Sequence, residues 1–174
     1  MVFRKAAAAD LDGVEDSYGE FFDHEETHHP WTVWKRGVYP TRQTAQQSLE
    51  AGSLYVLEED GRILASVILN RDQPPEYAQI PWSCPAGPGE ALVIHTLCVR
   101  PSLAGQGLGT LIVHRAMEEA RQLGCKAIRL DTGGQNQPAV GLYTKLGFRL
   151  VSAGEILLDG QIAHPGHVFM DYIL

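Results

Sequence analysis

Residues 24–28 read His-Glu-Glu-Thr-His. That is the H-E-x-x-H spacing by which a helix presents two histidines to zinc and a glutamate to the attacking water. Such a site also needs a third ligand, an open coordination position and a helix that holds both histidines on its inner face. Here Pro30 follows His28 closely, and the chain runs on as "HPWTVW" rather than x-x-G-x-x-H. The helix must end at the motif itself. The sequence therefore predicts a polar helix end beside a pocket, and no metal. A second stretch, "AGQGLG" from Ala104 to Gly109, offers different chemistry. Glycines before a helix let the backbone turn tightly, and the free amides and dipole of the helix start favour phosphate. The loop has no lysine, so it is not a Walker A motif. Thr110 stands where a Rossmann loop needs a third small residue, and "RPSLA" separates strand from glycine. Asp131 suits a ribose contact, but too little chain follows for the second half of a dinucleotide fold. A phosphate-bearing ligand of another kind is expected.

Those groups need elements to position them. "MVFRKA" alternates as a first strand, and Asp10 is the expected N-cap of a helix over "LDGVEDSYGEFFDHEE" that ends near His28. Thr41 caps and Gly52 stops a short helix, "TRQTAQQSLEAG". Asp60-Gly61 turns a hairpin between two apolar runs. A proline-rich loop, residues 71–89, is too long to be a mere connector. "EALVIHTLCVRP" is a β-branched strand before the glycine loop. The following helix is expected to bury Leu108, Leu111, Ile112, Ala116, Ala120 and Leu123. "CKAIRLDT" is a strand, "NQPAVGLYTKLG" a helix closed by Gly147, and the remainder strands and turns. Alternating strands and helices in the second half predict an α/β domain with a partly parallel sheet, a single domain over residues 1–174.

Composition narrows the function classes. The chain has 174 residues, 44% hydrophobic and 20% charged, which is ordinary globular usage. No apolar run approaches a membrane span and no h-region opens the chain. Three cysteines, odd in number, predict a reducing, cytoplasmic setting. Residues 1–60 hold 12 acids against 5 bases, so the net charge of −7 lies entirely in the first third. That disfavours nucleic acid and is compatible with a cationic small molecule.

At this point the chain resembles the GNAT superfamily of acetyl-CoA-dependent N-acetyltransferases. "HTLCVRP" resembles the family's L-x-V-x-P strand exit, "AGQGLG" its Q/R-x-x-G-x-G/A loop, and "NQPAVGLYTKLGF" its N-x-x-A-x-x-L-Y-x-K-x-G-F. The match in order covers roughly residues 90–150. The resemblance implies a mixed α/β domain with a mostly antiparallel sheet of about seven strands, a parallel pair at the cofactor cleft and about four helices. It implies that the backbone of Leu97, Cys98 and Val99 lines the pantetheine and that Asn136 bonds that arm. Amides of Gly105, Gln106, Gly107, Leu108, Gly109 and Thr110 would hold the pyrophosphate of acetyl-CoA. One departure stands out. Ala104 replaces the family's Gln or Arg, which weakens cofactor binding, and Arg100 is a partial substitute.

Acetyl transfer requires the ammonium to lose a proton, the oxyanion to be stabilised and the thiolate to leave. By resemblance Tyr143 protonates the thiolate. His95, in an H-x-L-x-V run like that of the arylalkylamine acetyltransferases, helps relay the amine proton. Its strand parity puts it on the side of Leu97 and Val99. Glu90 is a second base, of opposite parity. Cys98 is read as packing, since direct transfer in a ternary complex needs no nucleophilic thiol. The acceptor pocket falls to "HEETHHPWTVW" and "PPEYAQIPW". Glu25 and His28 would meet a cationic amine, and Trp31, Trp34, Tyr77 and Trp82 would form an aromatic wall with cation–π character. The implied enzyme is an N-acetyltransferase of a small-molecule amine, a monomer or homodimer without nucleic-acid or membrane partners. The alternatives are acetylation of a peptide or protein amine, and a non-catalytic acyl-CoA sensor of the same fold.

Overall fold

The computed structural model describes residues 1–174. Its elements run β1 (Val2–Lys5), α1 (Leu11–Thr27), α2 (Arg42–Glu50), β2 (Leu54–Glu59), β3 (Arg62–Asn70), β4 (Ala91–Val99), α3 (Leu108–Gln122), β5 (Ala127–Gly133), α4 (Gln137–Lys145), β6 (Arg149–Leu158) and β7 (Ile162–Ile173). The strands form one seven-stranded sheet in the order β1-β2-β3-β4-β5-β7-β6. β4 and β5 are parallel, while β1–β2, β2–β3, β5–β7 and β6–β7 are antiparallel. This is the mixed α/β architecture expected. No helix is long and apolar enough to cross a membrane.

The chain divides into two compact units. One holds residues 1–30, 34–69 and 95–113; the other holds 31–33, 70–94 and 114–174. In the first, α1 buries Leu11, Val14, Tyr18 and Phe22 at helical spacing against Val56, Ile63, Ile68 and Cys98. Each such side chain contributes roughly 1.5–3 kcal/mol by leaving water. Gly13 permits the approach, because a Cβ there would meet Ile63 Cγ1 at 2.7 Å. The Asp60–Gly61 turn has φ of 50° and 79°, the paired left-handed turn that matches strand twist. Asp10 differs from expectation: its carboxylate does not cap α1 but binds Arg4 and the Ala7 amide.

In the second unit, Tyr77, Val93, Ile156 and Phe169 form a core under the proline-rich loop, which itself makes a short 3-10 turn at Pro75–Gln79. β4 and β5 pair only at Ala91–Ala127, Leu92–Ile128 and Val93–Arg129. β5 continues to Gly133 paired with β7 alone. Its second half, from Leu130 on, is therefore free of β4. Helix α3 buries Leu108, Ile112, Ala116 and Ala120 as the periodicity predicts, together with Val113 and Met117, but leaves Leu111 only half-buried. Leu123 is 43% exposed instead, because the chain leaves the helix there for Gly124, at φ 69°.

Candidate active site

The glycine loop of the first unit leaves β4 through a turn at Pro101–Leu103 and enters α3 at Leu108. Gly105 and Gly107 hold φ of 80° and 77°, a region costly for any residue with a Cβ. No heavy atom lies within 4 Å of where their Cβ atoms would sit. The segment Ala104–Gly107 is exposed. The Gln106 amide is turned to Leu103 at 3.4 Å, a weak bond. The first amides of α3 have no acceptor within their own helix. Open backbone plus free amides at a 15-residue helix start fits a pyrophosphate.

Arg100 cannot supply what Ala104 lacks. It is buried, with Nε donating to the Ile63 carbonyl at 2.6 Å, Nη2 to the Gly13 carbonyl at 3.2 Å and Nη1 to Glu20 at 2.8 Å. Burial by itself would raise the Glu20 carboxyl, but bonds from Ser102 and Arg100 outweigh it and hold the group at about 2. Arg100 therefore ties β4 to α1 and β3. Cys98 is buried, its thiol pushed up to about 12 by burial, so it stays neutral and packs as expected. His95, Leu97 and Val99 are half-buried between buried Thr96 and Cys98. Thr96, however, has φ 47° and bonds its hydroxyl to Tyr39. Thr96 is thus left-handed within the strand, while half-burial still recurs at every second residue, His95, Leu97 and Val99.

Tyr143 is positioned by how α4 begins and ends. Asn136 caps the start, its Oδ1 accepting from the Ala139 amide at 3.2 Å. At the far end Gly147 takes φ 93°, Phe148 N–H donates to the Tyr143 carbonyl at 3.0 Å, and Gly147 N–H to Thr144 at 3.0 Å. This is a Schellman stop with its apolar contact, the Tyr143 and Phe148 rings lying 5.4 Å apart. The Y-x-K-x-G-F spacing is thus partly a device for fixing the tyrosine. Burial, and then the Asp131 charge, push the Tyr143 phenol above its ordinary range. It keeps its proton near neutral pH and can act as a donor.

Beside it lies a polar chain that local sequence patterns did not reveal. Tyr77 hydroxyl donates to Asp131 Oδ1 at 2.6 Å. Asp131 Oδ2 lies 3.6 Å from His167 Nε2, and His167 Nδ1 is 2.7 Å from His164 Nδ1. Burial pushes the Asp131 carboxyl up to about 6, against the Tyr77 bond. Burial, then His164, lowers His167 to about 4. The one sequence signal is a pair of charged residues, Arg129 and Asp131, on one face of an apolar strand.

The remaining expected residues fall as follows. Glu90 is spent on Lys126 at 2.7 Å and the Gly87 amide, which removes it as a base. Trp34 packs on Phe21 and Tyr39 in the first unit. Tyr77 and Trp82 pack on each other and on Phe169 in the second. The face of Trp82 is occupied by Arg129, 4.6 Å from the ring centroid, so its cation–π partner is internal. The Trp31 carbonyl accepts from Gln135 at 3.3 Å. Glu25 is buried at 8% exposure rather than on a rim. Glu26 and Asp23 are bound by Arg36. His24 and His28 stack at 4.1 Å and 15°. Ring lone pairs lie in the ring planes, so near-parallel stacked rings do not converge on one metal ion.

Residues 12–148 match the acetyltransferase (GNAT) family. A mycothiol acetyltransferase of Sanguibacter keddieii is 30% identical over 125 residues, 71% of this chain and 35% of that protein. The chain thus spans about a third of that relative's length. A GNAT-family acetyltransferase from Streptococcus agalactiae superposes with TM-score 0.76 at 20% identity, covering 99% of this chain and 95% of the other. A Salmonella typhimurium structure, described as solved with its cofactor acetyl-CoA, gives 0.70 at 20% identity, over 100% and 94%. Both likenesses bear on fold.

Proposed function

The chain belongs to the acetyltransferase (GNAT) family, and on that premise we propose that it transfers an acetyl group from acetyl-CoA to a primary amine of a small cationic acceptor. Transfer is by direct attack with both molecules bound. The observation that carries this reading is the open glycine loop at the start of α3, whose backbone angles and free amides suit a pyrophosphate. Amides from Gly105 to Thr110 hold it, the backbone of Leu97 to Val99 runs along the pantetheine, and Asn136 bonds that arm. Acetyl-CoA supplies an activated thioester. Tyr143, buried and protonated, donates its hydroxyl proton to the departing thiolate. His95 on β4 is the base offered by the H-x-L-x-V resemblance. Glu25, His28 and the aromatics of the two loops are the acceptor's surroundings in this reading.

A second reading, an acyl-CoA sensor without turnover, is favoured by one observation. Ala104 has no side chain for the pyrophosphate, and Arg100 is committed elsewhere. Melting temperature tests the ligand. A ligand of the native state alone stabilises it, so acetyl-CoA raises the melting point while NAD, ATP and zinc do not. No shift at millimolar acetyl-CoA, or a clear zinc shift, overturns the assignment.

A further inference from the structure

Asp131 sits on β5 beyond Arg129, the last residue there that pairs with β4. β7 still backs it, with Phe169 opposite Asp131 and His167 opposite Gly133. Directly opposed residues share a face, as do residues two apart on one strand. Asp131 and His167 therefore project to the same side. The Asp131 side chain is 13% exposed, and its only ion-pair partner is His167. Tyr77 and Glu76 face it from the proline-rich loop, Tyr143 from α4, and His167 with His164 from β7. Arg129, on the same face, is turned to the Cys84 and Ala86 carbonyls, Gln73 and the Trp82 ring. A buried carboxylate without a cation is costly unless something supplies one. In an acetyltransferase the acceptor arrives as an ammonium.

We propose that Asp131, rather than His95, is the catalytic base for the acceptor amine, and that His167 and His164 pass its proton to solvent. The proposal rests on the acetyl-transfer reading above. The ammonium N–H bond breaks and its proton moves to Asp131. The freed lone pair forms the N–C bond to the acetyl carbon, the C–S bond breaks, the thiolate takes the Tyr143 proton, and the second N–H proton of the adduct returns to the Tyr143 oxygen, leaving a neutral amide. The two histidines then act as a relay. Their Nδ1···Nδ1 contact needs one proton between the two atoms. With that proton on His167, Nε2 is bare and accepts from protonated Asp131 once the 3.6 Å between them shortens to hydrogen-bond distance, while Nδ1–H passes to His164. His167 thus shuttles between neutral tautomers, consistent with the burial that disfavours its cation. His164, half-buried, is the end that meets water. The carboxyl's raised range, about 6, suits a base that works near neutrality.

The test is the pH profile of kcat and kcat/KM with acetyl-CoA and either putrescine or phenethylamine, for wild type, Asp131→Asn, His164→Ala and His95→Ala. Asp131→Asn should lose roughly 10²-fold or more in kcat and its acid limb, while acetyl-CoA still raises its melting temperature. His164→Ala should lose several-fold, and added imidazole should restore the rate, which a merely structural residue would not allow. If Asp131→Asn does not fold, the His164→Ala rescue makes the same decision. Retention of rate and acid limb by Asp131→Asn, absence of imidazole rescue, or loss of the acid limb in His95→Ala alone overturns the proposal. If wild type turns over neither amine, the acetyl-transfer reading fails for these acceptors and the proposal falls with it.

Discussion

Glu20 and Asp131 are carboxylates drawn out of water, one in each unit, and their surroundings push them in opposite directions. Glu20 meets the Arg100 guanidinium and the Ser102 amide, and sits at about 2. Asp131 meets a phenol and a neutral imidazole, and sits at about 6. Burial alone does not identify a functional acid. The partner does: a full cation turns the carboxylate into a fastening, while neutral partners leave it able to exchange a proton.

The largest expected effect lies on the fastening. Arg100→Met leaves Glu20 without its cation and removes the arginine's bonds to the Ile63 and Gly13 carbonyls, a change of up to about 3–5 kcal/mol. At roughly 2–4 °C per kcal/mol for a chain of this size, melting should fall by about 10 °C. Because Glu20 is lowered relative to its unfolded value, the pair's stabilisation is complete above the ordinary 4.5 and lost as pH falls toward about 2. The variant's deficit should therefore narrow in acid. An unchanged melting point with a lost acetyl-CoA shift would instead make Arg100 a pyrophosphate ligand.

Next in size, Tyr143→Phe should cut kcat roughly 10²-fold with acetyl-CoA affinity unchanged. Single-turnover kinetics with a cofactor titration separates the two. An equal kcat would mean the thiolate leaves without Tyr143.

A smaller effect inverts the sign of the first. Asp131 is raised above its unfolded value of 3.8, so its ionisation opposes folding. That penalty grows as pH rises from 3.8 and is complete above about 6. Asp131→Asn, which keeps an acceptor for Tyr77, should gain melting temperature relative to wild type at pH 8 more than at pH 5. A gain independent of pH would mean the carboxylate's charge is not what the fold resists. The smallest effect belongs to Glu26→Gln. Arg36 already neutralises Glu26 at the surface, so KM for a diamine should change by no more than about twofold. A larger rise would make Glu26 itself an acceptor contact.

These contrasts mark how far the sequence could be read. Local signals placed the elements well, because Thr41, Gly52, Asp60-Gly61 and Gly147 act on their immediate neighbours. The Tyr143 motif was legible for the same reason, its spacing being that of a helix stop. Arg100 and Glu90 were misjudged because their partners, Glu20 and Lys126, are brought in by packing and not by spacing. Thr96 offered no warning, since a left-handed threonine has no sequence signature. The Asp131–His167–His164 chain joins residues from two strands through sheet register alone, which no local pattern announces.

Acetyl transfer itself is tested most directly by steady release of free CoA thiol from acetyl-CoA, with and without a panel of primary amines, followed by mass analysis of the amine. Multiple turnovers are expected that depend on the amine, favour cationic acceptors and leave the amine about 42 Da heavier, one acetyl group in place of a proton. Acetyl-CoA binding with no amine-dependent thiol release across the panel would contradict it and leave the chain as a sensor.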